Sequence, residues 1–89
     1  MRVLIVEDEP DLLRTISQAL REDGYAVDEA SDGQEGLYKA TSWEYDVIVL
    51  DLLLPKLSGW QVLEKLRETR TTPVLILTAR GNWDEKVSG

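Results

Sequence analysis

Four polar residues of this sequence follow directly after three short apolar runs: Glu7 and Asp8 after Val3–Val6, Asp51 after Val47–Leu50, and Thr78 after Val74–Leu77. Carboxylate oxygens are the ligands that hard cations such as Mg²⁺ prefer, and a carboxylate beside such a cation can attack phosphorus to give an aspartyl phosphate. The residue types therefore favour binding of a divalent metal ion and phosphoryl chemistry at a carboxylate.

These side chains meet only if the apolar runs are neighbouring parallel strands of one sheet. In open parallel α/β sheets, ligands bind beyond the carboxyl ends of the strands, where the strand order reverses. Three carboxylates at that edge repel one another unless a cation lies between them. A single acid after a strand usually caps the next helix, and Glu7 or Asp8 alone could have that simpler role. Acids and a threonine together on one edge favour a binding site.

The spacing of apolar residues predicts the strands that must hold this edge together. The predicted strands are Val3–Val6, Tyr25–Ala30, Val47–Leu50 and Val74–Leu77. Continuous apolar runs are typical of strands buried on both faces of a parallel sheet, whereas Asp28 and Glu29 suit the second strand to a sheet edge. Helical segments separate the strands, so the sequence predicts an α/β fold with a doubly wound parallel sheet.

The helices are predicted from capping residues and from residues that end helices. The predicted starts and ends are Pro10 and Gly24 for the first helix, either Ser31 with Gln34 or Asp32 with Glu35 for the second start, Ser58 with Gln61 for the third, and Trp83 for a short helix over 83–87. Large aromatic residues are usually mostly buried. We therefore interpret Trp43, Trp60 and Trp83 as core or helix-flank residues rather than as a binding surface.

Length and composition narrow the class of protein. The 89 residues form one small domain, and 43% of them are hydrophobic, which is enough for a core. The net charge of −7 disfavours direct binding to nucleic acid or a membrane surface. The absence of Cys and His excludes disulfide scaffolds, zinc sites built on those residues and histidine-dependent triads. No apolar run is long enough for a signal peptide or a membrane span, so we expect a cytoplasmic protein.

Four segments together resemble the receiver domain of two-component response regulators: Leu4–Glu9, Asp46–Leu52, Leu54–Gly59 and Pro73–Ala79. They occur in the family's order over the whole chain, 1–89. The segment Asp51–Pro55 followed by Gly59 most resembles regulators whose output is a winged-helix DNA-binding domain. The resemblance implies a flavodoxin-like receiver fold with four strands in the order 2-1-3-4, three helices and a helical stub.

The same resemblance implies a role for each site residue. Asp51 matches the phosphoacceptor, and Glu7 and Asp8 match the acidic pair that positions Mg²⁺. The backbone carbonyl of Leu53 matches a further metal ligand, and Thr78 matches a switch hydroxyl that turns towards the phosphoryl group. The remaining matches are Ala79, whose amide can reach a phosphoryl oxygen, and Pro55 and Gly59, which shape the loop. The implied function is not that of an enzyme but of a phosphoacceptor that a sensor histidine kinase phosphorylates.

The sequence departs from the family after the fourth strand. A receiver has a fifth strand, whose Lys-Pro pair places a lysine on the phosphoryl group, and a last helix, and residues 1–89 contain neither. We therefore expect a truncated receiver in which phosphorylation and switching are impaired and metal binding suffers less. Contact with DNA would need an output domain that is absent here. Because Val74–Leu77 is an uncharged apolar edge, we also expect a homodimer, through this strand or exchange of an element, and otherwise aggregation.

Two other classes of protein stay open. Hydrolases of the haloacid dehalogenase type also place a nucleophilic aspartate after a strand, but they carry a second acid two residues later, where this sequence has Leu53. The other class is an interaction or assembly fragment whose acidic site is vestigial and cannot be phosphorylated. Reaction with acetyl phosphate or a beryllofluoride mimic distinguishes these classes.

Overall fold

The computed structural model describes residues 1–77, which form a layered α/β fold. Strands and helices alternate along this part of the chain: β1 Arg2–Val6, α1 Pro10–Glu22, β2 Ala26–Ala30, α2 Gly33–Ser42, β3 Val47–Asp51, α3 Gly59–Leu66 and β4 Val74–Leu77. All of the predicted strands are confirmed, each with ends within one residue of the prediction. The short helix predicted over 83–87 lies outside the described residues.

The strands form one parallel sheet with the order β2-β1-β3-β4, as predicted. The polar strand β2, which carries Asp28 and Glu29, lies at an edge. β1 lies inside the sheet, where Val6 is paired with Ala30 of β2 and with Leu50 of β3. The strand order reverses between β1 and β3, so a ligand site is expected at the carboxyl ends of these two strands.

Two apolar cores, one on each face of the sheet, hold the strands in place. Val3 and Ile5 of β1 belong to the core beneath α1, whereas Leu4 and Val6 belong to the core beneath α2 and α3. Burying each such side chain stabilises the fold by about 1.5–3 kcal/mol. The core beneath α1 comprises Val3, Ile5, Leu13, Val27 and Val49, and the other comprises Leu4, Val6, Ala30, Ala40, Tyr45, Ile48, Leu50, Val62 and Leu66.

Most helix ends follow the sequence. Ser58 and Gln61 form the predicted reciprocal capping box at the start of α3. Of the two caps considered for α2, the structure has Asp32, whose carboxylate accepts a hydrogen bond from the amide of Glu35 at 2.7 Å. Gly24 follows the end of α1 with φ of +95°, the predicted left-handed conformation.

The residue that caps the start of α1 is neither Glu7 nor Asp8. Pro10 takes the first helical position, as predicted. The N-cap is Glu9, whose carboxylate accepts a hydrogen bond from the amide of Leu12 at 2.8 Å. The simpler role considered for Glu7 or Asp8, that of capping this helix, is therefore wrong, and both side chains are available for another function.

Trp43 and Trp60 do not belong to either core. Trp43 is the C-cap of α2, is 44% exposed and packs edge-on against Tyr38 with a ring separation of 5.9 Å. Trp60, in the first turn of α3, is 63% exposed. The core interpretation is wrong for both residues: Trp43 flanks α2, as predicted, whereas Trp60 lies on the exposed face of α3. Trp83 lies outside the described residues. Within residues 1–77, no helix combines the length and the apolar character needed to cross a membrane.

Candidate functional site

The register of the sheet brings three carboxylates to one edge. Val6 and Leu50 are paired neighbours, so the residues that follow them, Glu7 and Asp51, lie side by side at the ends of β1 and β3. Asp8 completes the cluster, because one oxygen from each of the three carboxylates lies within 4.8 Å of the others. The acids therefore meet at the strand ends, where the sequence predicted them.

Two of these carboxylates are inside the protein and one faces solvent. Glu7 and Asp51 are 1% and 2% exposed, whereas Asp8 is exposed. Oδ1 of Asp51 accepts a hydrogen bond from the amide of Leu53 at 3.1 Å, and Oε2 of Glu7 accepts one from the amide of Glu9 at 2.9 Å. Each amide occupies one oxygen of a buried carboxylate, so the second oxygens provide the remaining capacity for a ligand.

Glu7 is the residue of the site whose pKa is raised. Burial raises the pKa of Glu7 from 4.5 to about 7, the charges of Asp51 and Asp8 add to the rise, and the amide of Glu9 opposes it. Its second oxygen, Oε1, is buried and has no hydrogen-bond partner within residues 1–77. A cation among the carboxylates would supply both a partner and a compensating charge. This set of oxygen donors therefore fits a hard cation such as Mg²⁺.

The loop between β3 and α3 is drawn tightly against Asp51. The amide of Gly59 donates to the carbonyl of Leu52 at 3.0 Å, and a Cβ atom at position 59 would lie 2.3 Å from the carbonyl oxygen of Asp51. Only a residue without a side chain permits this approach. The loop, with Pro55 and Leu53 in it, is thus confined to a narrow space beside the carboxylates.

The remaining predicted site residues are placed only in part. The amide of Leu53 is bound to Asp51, and its side chain is 55% exposed. Thr78 and Ala79 lie outside the described residues. The metal-ligand role of the Leu53 carbonyl, and the switch and amide roles of Thr78 and Ala79, stay predictions.

Two contributions to the site are not apparent from the acidic motif. Glu9 donates its amide to Glu7 as it starts α1. Gly33, at the start of α2, lies so close to the loop after β3 that a Cβ atom on it would be 1.7 Å from the carbonyl oxygen of Leu57. Glycine is a poor helix former, so a glycine in the first turn of a predicted helix is the sequence signal that could have indicated this contact.

Known proteins share the sequence motifs of this chain. The family model of the response regulator receiver domain matches residues 3–89. The transcriptional regulatory protein HprR of Escherichia coli (strain K12) is 44% identical over 89 residues, which is 100% of this chain and 40% of HprR. The chain thus spans about 40% of the length of the curated relatives that it matches.

Solved structures share the fold. The response regulator protein TrrA of Thermotoga maritima, in complex with Mg²⁺–BeF, is 34% identical with a TM-score of 0.85, and the match covers 98% of this chain and 76% of TrrA. A complex of TrrA with the histidine kinase ThkA gives 35% identity and a TM-score of 0.82, covering 92% of this chain and 72% of the matched chain. In both matches, this chain resembles TrrA in sequence as well as in fold.

Proposed function

Because the chain belongs to the family of response regulator receiver domains, we propose that it is a phosphoacceptor signalling module. Asp51 accepts a phosphoryl group from a sensor histidine kinase in the presence of Mg²⁺. The observation that carries this proposal is the meeting of Glu7, Asp8 and Asp51, whose carboxylate oxygens lie within 4.8 Å of one another at the strand ends. The proposed role is that of a phosphate acceptor and not of an enzyme that turns over a substrate.

In the proposed reaction, a carboxylate oxygen of Asp51 attacks the phosphorus atom of the donor. The new phosphorus–oxygen bond forms as the bond between phosphorus and the leaving group breaks, and the electron pair of the broken bond goes to that group. When the donor is the phosphohistidine of a kinase, the leaving group is an imidazole, which takes up a proton. When the donor is acetyl phosphate, the leaving group is acetate. The amide of Leu53, 3.1 Å from Oδ1, orients the carboxylate and leaves Oδ2 as the nucleophile.

Mg²⁺, when bound, offsets the negative charge of the carboxylates and the phosphoryl oxygens. Glu7, Asp8 and Asp51 would hold it, together with the backbone carbonyl of Leu53. The burial of Glu7 and Asp51 strengthens their attraction for a cation, because charges interact more strongly away from water. Asp8 is exposed, so it lies on the side of the site from which a phosphodonor can approach.

The proposal extends to the partners and location of the chain. A histidine kinase as the phosphodonor is supported by the complex of TrrA with ThkA, and we place the reaction in the cytoplasm. HprR is a transcriptional regulatory protein, and contact with DNA would here require an output domain. A second candidate function is that of an assembly module that associates with another copy through β4. The exposure of two apolar side chains of β4 favours it, since Leu75 and Ile76 are 62% and 41% exposed.

Labelling with acetyl phosphate and Mg²⁺, followed by mass spectrometry, tests the phosphoacceptor. We expect weak labelling of Asp51 in the unmodified chain and no phosphoryl group on the Asp51→Asn variant. Asp23→Asn is the matched control, because Asp23 is exposed at the opposite end of α1 from the site. Labelling that persists in Asp51→Asn, or that maps to another carboxylate, would refute the assignment.

Titration with Mg²⁺ tests the metal site separately from phosphorylation. Asp8→Asn removes a charged ligand from an exposed position, so it should weaken Mg²⁺ binding by about tenfold or more with no loss of core packing. Asp11→Asn removes the same charge from an exposed position in the first turn of α1 and should leave the affinity unchanged. Calorimetric titration measures both, and equal affinities for Asp8→Asn and the unmodified chain contradict the metal site.

A further inference from the structure

The first turn of α2 lies directly against the loop between β3 and α3. A Cβ atom on Gly33 would lie 1.7 Å from the carbonyl oxygen of Leu57 and 2.7 Å from its carbonyl carbon. The amide of Gly33 donates to the carbonyl of Pro55 at 3.3 Å. Nζ of Lys56 lies 3.8 Å from Oδ2 of Asp32. Three consecutive loop residues therefore contact one turn of helix.

An added methyl group on Gly33 could not be accommodated by a side-chain rotation, because the nearest atoms belong to the backbone of Leu57. The helix cannot easily retreat, since it is capped by Asp32 and buries Ala40 in the core. The loop is already strained at Lys56, whose φ of 71° lies in the left-handed region that non-glycine residues adopt at a cost. The loop is therefore the part that would move.

Movement of the loop at Leu57 is transmitted to the site because the other side of the loop is fixed. A Cβ atom on Gly59 would lie 2.3 Å from the carbonyl oxygen of Asp51 and 2.5 Å from Cα of Leu52, so the loop cannot shift in that direction. The strain must be absorbed in the few residues between these points. They include Leu53, whose amide is bonded to Oδ1 of Asp51 at 3.1 Å.

We propose that Gly33 is a positioning residue for the phosphoacceptor site. Because Gly33 carries no side chain, α2 can pack tightly against the loop. This close packing, which we call the clamp, holds the amide and carbonyl of Leu53 beside Asp51. Gly33 itself touches neither the metal ion nor the phosphoryl group and acts through the loop. This inference rests on the proposed function and deepens it, because it assigns control of the site geometry to a helix outside the acidic cluster.

Gly33→Ala tests this role, with Gly24→Ala as the matched control. Gly24 has φ of +95° and nothing within 4 Å of an added Cβ atom, so alanine there strains the backbone without touching the loop. The measurements are the Mg²⁺ dissociation constant and the NMR shift of the Leu53 amide, both taken well below the unfolding temperature of each variant. We expect Gly33→Ala to weaken Mg²⁺ binding by about tenfold and to shift the amide signal. Gly24→Ala should lower thermal stability and change neither measurement.

The outcomes separate this inference from the proposed function. Mg²⁺ affinity and a Leu53 amide signal that are unchanged in Gly33→Ala overturn the positioning role, while labelling of Asp51 in the unmodified chain keeps the proposed function. An unmodified chain that neither binds Mg²⁺ nor is labelled overturns the proposed function. In that case the Leu53 amide signals of the metal-free unmodified chain and of Gly33→Ala still show whether Gly33 positions the loop. If Gly33→Ala unfolds in buffer, the comparison is made in trimethylamine N-oxide, which favours the folded state.

Discussion

Glu7 is the residue whose environment departs most from that of an ordinary surface acid. Its pKa is raised to about 7, first by burial and then by the charges of Asp51 and Asp8. Between pH 4.5 and about 7, the folded chain therefore holds a proton that the unfolded chain has released. The folded state binds more protons in this window, so the free energy of unfolding falls as the pH rises through it. The contribution of Glu7 to the stability of the metal-free protein is thus least favourable where its carboxylate is ionised.

Glu7→Gln should stabilise the metal-free protein by on the order of 2 kcal/mol above pH ~7, with a smaller gain towards pH ~4.5. The cause is removal of a buried charge, and the same substitution should weaken Mg²⁺ binding. Urea unfolding in the presence of a chelator, repeated across the pH window, measures the difference. Glu68→Gln, at an exposed position after α3, is the control and should show no such trend. A gain that is independent of pH would contradict the assigned cause.

At the scale of elements, a polar network ties the edge strand β2 to the segment before β3. The hydroxyl of Tyr45 donates to Oδ2 of Asp28 at 2.6 Å, and the guanidinium of Arg2 binds the same oxygen at 3.0 Å. The hydrogen bond from Tyr45 is the main reason that the pKa of Asp28 is lowered, and Arg2 adds to the effect. Arg2 and Tyr45 lie at the amino ends of β1 and β3, away from the site, and they tie these ends to the middle of β2.

Tyr45→Phe should destabilise the fold by about 1 kcal/mol near neutral pH, because a partly buried hydrogen bond to a charged group is lost. Since folding lowers the pKa of Asp28, its contribution is present above the ordinary value of 3.8 and is lost as the pH falls through the folded value. The difference between the two proteins should therefore shrink in acid. Thermal unfolding measures it, with Tyr38→Phe as an exposed control. A difference that is just as large in acid would show that packing, and not the charged hydrogen bond, is responsible.

The sequence predicted those elements whose signals are local. The apolar runs of β1 and β3 and the box formed by Ser58 and Gln61 need no distant partner to be recognised. The meeting of the acids followed from strand order alone, but the burial of Glu7 could not be predicted, because it depends on tertiary packing around the strand ends. The contact of Gly33 also escaped prediction, since its partner Leu57 belongs to a loop beyond the next strand.

At the scale of the whole molecule, the two edges of the described sheet differ in character. β2 carries the charged residues Asp28 and Glu29 at one edge. β4 is paired with β3 on one side only, as far as residues 1–77 show, and its Leu75 and Ile76 are 62% and 41% exposed. An exposed apolar edge strand is a template for pairing with another chain. Association of the 89-residue chain through β4 therefore stays a prediction.

Ile76→Lys should reduce self-association of the 89-residue chain, because a charge on an edge strand opposes pairing with a second copy. Light scattering over a dilution series gives the mass of each protein. Trp60→Lys is the matched control, since Trp60 is an exposed apolar residue on α3 and not on a strand. An unmodified chain that is monomeric at every concentration, or an equal effect of both lysine variants, would contradict association through β4.

The inner position of β1 also determines the order in which the chain can fold as it is synthesised. Its partners begin only at Ala26 in β2 and at Val47 in β3, so β1 leaves the ribosome long before either is complete. Until β3 arrives, one flank of β1 has unpaired peptide groups. Closing contacts between distant segments is slow, because the intervening chain must be ordered first. β1 therefore stays half-paired until β3 has been made, and the docking of β3 against β1 is a step that we expect to slow folding.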